Sequence, residues 1–114
     1  MQELQLTARL KIQPGKLSEF TRITAICLSD ARKKDKGTTQ YDWFLNENRS
    51  ECVIRERFKD STALLEHIAN QSQEAKALFD IVDMSLEVYG TPSEILKEKM
   101  QGMNVEFYSF FQGL

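Results

Sequence analysis

The chain is poor in the residues that carry the commonest chemistries. Its 114 residues include two cysteines, two prolines, five glycines and a single histidine, His67. Cys27 and Cys52 form no Cys-x-x-Cys pair and no zinc-binding spacing. Cys27 falls on the apolar face of an expected helix and Cys52 within an expected strand, so both are read as buried thiols. There is no glycine-rich phosphate-binding loop. The net charge of −2, on 28% charged residues, gives no electrostatic basis for nucleic acid or an anionic membrane as a partner. No apolar run approaches bilayer-spanning length. The opening M-Q-E-L-Q-L-T lacks the basic-then-apolar pattern of a signal peptide, so the expected location is cytoplasmic. The length fits one domain, residues 1–114, with a core modest enough that dimerisation would help it.

What is present is strong local patterning. Leu4, Leu6, Ala8, Leu10 and Ile12 alternate with polar residues, the period of a half-buried strand, and Pro14-Gly15 ends it. Leu17, Phe20, Ile23, Cys27, Leu28 and Ala31 then recur at helical spacing over Lys16 to about Lys34. Gly37 is expected to stop that helix in the left-handed conformation. Thr38 to Leu45 reads as a second strand with Tyr41, Trp43 and Leu45 on one face. Asn46 to Ser50 supplies turn chemistry, and Glu51 to Phe58 returns antiparallel. Asp60 or Ser61 can cap a helix that runs to about Asn70, with Leu64, Leu65 and Ile68 on its apolar face and His67 at the margin. A short helical piece over Gln73 to Phe79 leads to a fourth strand, Ile81 to Tyr89, closed by Gly90.

Strand, helix, strand, strand, helix, strand is the ferredoxin-like α+β arrangement, here filling residues 4–90. The helices cover one face of such a sheet, and the other face calls for a second subunit. Residues 91–114 extend the unit. Thr91-Pro92-Ser93-Glu94 has the form of a capping box with Pro at the first helical position, for a helix to about Met100. Val105 to Phe111 reads as a fifth strand apolar on both faces. It is expected to be covered by a partner subunit rather than left as an edge.

The stretch E-R-F-K-D-S-T-A-L-L-E-H, Glu56 to His67, resembles the E-x-W-x-[DS]-x-x-A-h-x-x-H signature of the antibiotic-biosynthesis-monooxygenase family (h is apolar). Ile12-Gln13-Pro14-Gly15-Lys16 looks like that family's P-G-K corner. Asp35 to Tyr41 looks like its E-P-G-x-x-x-Y segment, with Asp for Glu and Lys for Pro. The resemblance covers about Leu4 to Tyr89. It implies a dimeric α+β barrel and points to a cofactor-free oxygenase acting on a quinol, polyphenol or similar small aromatic compound with oxygen, without metal, flavin or heme. A non-catalytic binding or assembly protein on the same fold is the alternative. Heme-degrading relatives carry an Asn where Ala8 stands, a Trp about where His67 stands and an iron-ligating His near Ala77, none of which this chain has.

Four residues are the candidate site. His67 is the candidate base, because imidazole titrates near neutral pH and can take a proton from a phenol. A histidine hydrogen-bonded at the helix margin, with Glu66 or Glu56 nearby, is the other reading. Tyr41 and Trp43 could wall an aromatic ligand, or serve only as core. Glu56, in a half-buried strand, needs a partner and is assigned a supporting, substrate-binding role beside a structural one.

Overall fold

The structure, a computed structural model, describes residues 3–114. Strand β1 (Leu4–Ile12) lies at the centre of a five-stranded sheet. It pairs antiparallel with β3 (Glu51–Phe58) on one side and β4 (Val82–Tyr89) on the other; β2 (Thr38–Leu45) lies outside β3, and β5 (Val105–Tyr108) outside β4. Helices α1 (Leu17–Lys34), α2 (Ser61–Asn70) and α3 (Gln73–Lys76) and a 3-10 turn (Ala77–Asp80) cover one face, as the βαββαβ pattern requires; α4 (Glu94–Lys99) belongs to the extension.

The alternation in β1 is what builds the core. Leu4, Leu6, Ala8 and Leu10 are all buried and face the helices, packed against Phe20, Ile23 and Cys27 of α1 and Leu64 of α2. The register then lines side chains into rows across the sheet. Leu6 is opposite Glu56, which is opposite Tyr41; Ala8 is opposite Ile54, which is opposite Trp43. Ala8 is the shortest side chain of the central strand, so the sheet floor drops beside Trp43 and Glu56. β2 carries a bulge between Thr38 and Gln40 that sets which of its residues point inward.

Helix α2 starts where expected: the Asp60 carboxylate accepts a hydrogen bond of 2.8 Å from the Ala63 N–H. Gly37 departs from expectation. It does not take a positive φ, and α1 ends on the extended Asp35. The position requires glycine because a Cβ there would stand 2.4 Å from the Cβ of Ala63. Gly37 is therefore the point where the chain after α1 passes close against α2.

The extension corrects two expectations. Ser93, not Thr91, caps α4, its hydroxyl accepting from the Leu96 N–H at 3.1 Å, so Pro92 precedes the helix rather than opening it. The fifth strand stops at Tyr108 rather than Phe111 and pairs parallel with β4 of its own sheet, held in part by Leu86 N–H to Asn104 O (2.8 Å) and Gly90 N–H to Tyr108 O (2.9 Å). The free edge of β4 and the crossover through α4 give it that place. Its two faces separate as a strand's must: Val105 and Phe107 pack on the core, and Tyr108 stacks on Tyr89. Phe110 and Phe111 follow the strand, 80% and 87% exposed.

The sheet's other face carries no helix. It presents Gln5, Arg9 and Lys11 of β1 beside Arg55, Arg57 and Glu87, with Arg9 paired to Glu87 at 3.6 Å. No helix among the described residues is long and apolar enough to cross a membrane.

Candidate functional site

Between α2, α3 and the sheet lies a cavity of about 360 Å³. All four candidate residues line it, and the register accounts for this. Tyr41 and Glu56 stand opposite each other on adjacent strands, Trp43 is two residues along the same face, and His67 comes down from α2. Most of the remaining wall is apolar, with Leu6, Ala8, Ile54 and Leu64 at its centre.

His67 is not at an exposed helix margin but buried, at 5% exposure. The chain leaving α1 covers it and contributes Asp35, whose carboxylate lies 2.6 Å from His67 Nδ1. Asp35 also accepts from Thr38 Oγ1 (2.7 Å) and Asn70 Nδ2 (2.9 Å). Burial works to raise the pKa of this carboxyl, but the hydrogen bonds from Asn70, His67 and Thr38 outweigh it and hold it below the usual carboxylate range. An ionised carboxylate can only accept, so Nδ1 carries the proton and the lone pair of a neutral imidazole is on Nε2. The Tyr41 ring meets the imidazole edge-on at 4.8 Å and the Phe58 ring lies tilted at 5.2 Å, which fixes its plane.

Nε2 faces Glu56, whose Oε1 is 3.7 Å away. That is too far for a hydrogen bond, yet close enough for one ligand atom to reach both groups. Glu56 is buried, and burial first, then the Asp35 charge, pushes its pKa up to about 8. It is therefore mostly a neutral carboxylic acid at pH 7 and can donate. Glu66, the other carboxylate considered for His67, makes no ion pair with it among the described residues.

The other titratable groups near His67 and Glu56 stay neutral. Burial, then the Glu56 carboxyl, pushes the Tyr41 phenol far above its ordinary range. Burial pushes the Cys27 thiol, also on the cavity wall, up to about 11, so it is no thiolate nucleophile; Cys52 is buried as well, and both are free. Trp43 stacks edge-on with Tyr41 at 5.4 Å, and its Nε1–H is buried without a hydrogen-bond partner. Among the described residues no group of three or more His, Cys, Asp or Glu side chains could hold a metal.

The sequence reasoning missed Asp35 as the partner of His67. The two are 32 residues apart, and the only signal was that Asp35 stands where the resembled family carries Glu, at the head of the D-K-G-T-T-Q-Y segment. Thr38 and Asn70 were not singled out.

The family model for antibiotic biosynthesis monooxygenase matches residues 5–79. No match is found among curated proteins. Solved structures share the fold. MupZ from Pseudomonas fluorescens is 20% identical with a TM-score of 0.85, over 100% of this chain and 94% of that one. A conserved protein from Methanosarcina mazei Go1 is 22% identical (TM-score 0.67; 78% and 92% covered). SnoaB, a cofactor-independent oxygenase from Streptomyces nogalater, is 14% identical (TM-score 0.68; 83% and 98%). The likeness to MupZ thus extends through residues 91–114.

Proposed function

The chain belongs to the antibiotic biosynthesis monooxygenase family, and from that premise we propose that it is a cofactor-independent monooxygenase of a quinol, polyphenol or similar small aromatic compound, working as a homodimer. The observation that carries the reading is the pairing of an oriented base with a neutral acid. His67, held by Asp35, and Glu56 stand 3.7 Å apart in a largely apolar cavity walled by Tyr41 and Trp43. SnoaB, a cofactor-independent oxygenase on the same fold, supports the reaction class.

The chemistry asks little else of a protein. His67 Nε2 takes a phenolic proton, and Asp35 stabilises the imidazolium that forms. The electron-rich ring gives one electron to O2, and the two radicals combine at a ring C–H carbon. Glu56 protonates the resulting peroxide. The Glu56 carboxylate then takes the C–H proton as the O–O bond breaks and hydroxide departs, the imidazolium proton converts that hydroxide to water, and the carbon becomes a carbonyl with both groups restored. One oxygen atom stays in the product and the other leaves in water; the substrate loses two hydrogens and is the reductant. The cavity keeps bulk water from the anion, and edge-on packing against Tyr41 and Trp43 orients the ring. A substrate oxygen would also satisfy the unpaired Trp43 N–H.

The test is oxygen uptake with a panel of quinols, with the product mass read for one added oxygen atom. His67→Ala should lower the rate about 10²–10⁴-fold. An unchanged rate removes His67 as the base. Tight ligand binding without oxygen consumption supports the alternative, a binding protein. The helix-free sheet face is the proposed subunit contact, and sedimentation at micromolar concentration should give twice the chain mass; a stable monomer removes that part.

A further inference from the structure

The catalytic groups occupy only one end of the cavity. His67 and Glu56 are buried, whereas Lys76, Phe79, Lys99 and Met103 line the same cavity and are exposed, so they stand at its mouth. Met84, Leu86 and Met100 also line the cavity. The extension contributes Lys99, Met100 and Met103 to the lining, all after residue 79, where the family match ends. A volume of about 360 Å³ is in the range that holds drug-sized ligands and leaves room beyond a single aromatic ring. Methionine side chains adapt to an irregular apolar chain better than branched ones do.

The charges are one-sided. Lys76 and Lys99 are the two charged residues at the mouth, and neither is in an ion pair among the described residues. The one carboxyl that lines the cavity is Glu56, at the buried end. An anion at the mouth therefore meets two unpaired ammonium groups and no lining carboxylate, while an apolar segment inside it meets thioether and aliphatic wall.

We infer that the substrate is amphipathic: an electron-rich head whose oxygen reaches both His67 and Glu56, an apolar chain along Met84, Leu86 and Met100, and an anionic end group at Lys76 and Lys99. This rests on the reading of the cavity as the substrate site. It makes the extension a specificity element, since without α4 and the residues after it the chain and its charged end lose one wall.

Trp43 is the only tryptophan and lines the cavity, so its fluorescence reports binding. The probes are hydroquinones bearing short, medium and long ω-carboxyalkyl chains, each beside its methyl ester and its ω-phosphate, titrated without oxygen. Affinity should rise about fourfold per methylene until the chain reaches the mouth. At that length the acid should bind about fivefold tighter than its ester, the strength of a partly exposed ion pair. The preference should shrink at high salt. In the double variant Lys76→Gln/Lys99→Gln the acid-to-ester ratio should fall to near one. The phosphate arm decides which anion is preferred. Acid and ester binding alike in the wild type, a preference retained in the double variant, or no quenching by any probe each overturns the inference. Oxygen uptake with the same probes separates the two readings. Equal turnover of acid and ester leaves the oxygenase and removes the anionic end; preferred binding of the acid without turnover does the reverse.

Discussion

Two buried carboxyls flank one imidazole, and the chain treats them in opposite ways. Asp35 stands at the corner between α1 and β2, where a helix end and a strand start put three donors around it: His67 Nδ1, Thr38 Oγ1 and Asn70 Nδ2. Glu56 stands in mid-strand, where the neighbours across the sheet are Leu6 and Tyr41 and His67 Nε2 lies 3.7 Å away, beyond hydrogen-bond reach. The first is lowered in pKa and the second raised, to about 8. The difference lies in donors and in depth: Glu56 is set deeper and has no donor, whereas Asp35 has three. Where donors converge, a buried carboxyl keeps its charge and orients the histidine; where they are missing it keeps its proton and can give it away.

The strongest way to break the contrast is to remove the satisfied side. Asp35→Ala leaves the His67, Thr38 and Asn70 donors without their acceptor, at about 1–3 kcal/mol for each buried group left unpaired. We expect a total loss of roughly 3–5 kcal/mol of unfolding free energy, read from the urea midpoint at an unchanged slope. A loss below about 1 kcal/mol would mean the corner is solvated and Asp35 orients nothing.

The pH dependence of stability sharpens the same contrast, because the two groups act with opposite sign. Glu56 is ordinary in the unfolded chain and raised to about 8 when folded. From about pH 4.5 to 8 the folded protein holds a proton that the unfolded chain has released, so stability falls as pH rises through that window, by about 2–4 kcal/mol. Asp35 is lowered when folded. Its contribution is present above the unfolded carboxylate value and is lost as pH falls below it. Glu56→Gln should therefore flatten the neutral limb and leave the acid limb in place. A wild-type urea midpoint flat from pH 5 to 8 would show that Glu56 is ionised throughout.

Most of this fold was legible, and the reason is local. Period-two alternation in Leu4–Ile12, helical spacing from Leu17 and the Asp60 cap are properties of neighbouring residues, and they set the elements to within a residue or two. The site was legible only in part. Tyr41 and Trp43 share a face by alternation, but the His67–Asp35 contact joins residues 32 apart, which no local residue pattern announces. His67 was read at a helix margin because α2 alone has a margin there; in three dimensions the α1–β2 corner covers it, and the Gly37–Ala63 contact lets that corner approach. The place of the fifth strand was not legible because its residues do not announce which sheet edge they join. Parallel pairing with β4 puts Phe107 on the core, and Tyr108 stacks on Tyr89.

The smallest test dissects the Asp35 corner without emptying it. Thr38 Oγ1 donates to Asp35 Oδ2 at 2.7 Å, the same oxygen that His67 Nδ1 meets at 2.6 Å. Thr38→Val keeps a β-branched side chain at the start of β2, so strand propensity is unchanged and only the hydroxyl is lost. The expected cost is about 1–1.5 kcal/mol, one hydrogen bond to a charged acceptor that retains other donors. A loss below about 0.5 kcal/mol in the urea midpoint would mean that the Thr38 hydroxyl is solvated and does not hold Asp35.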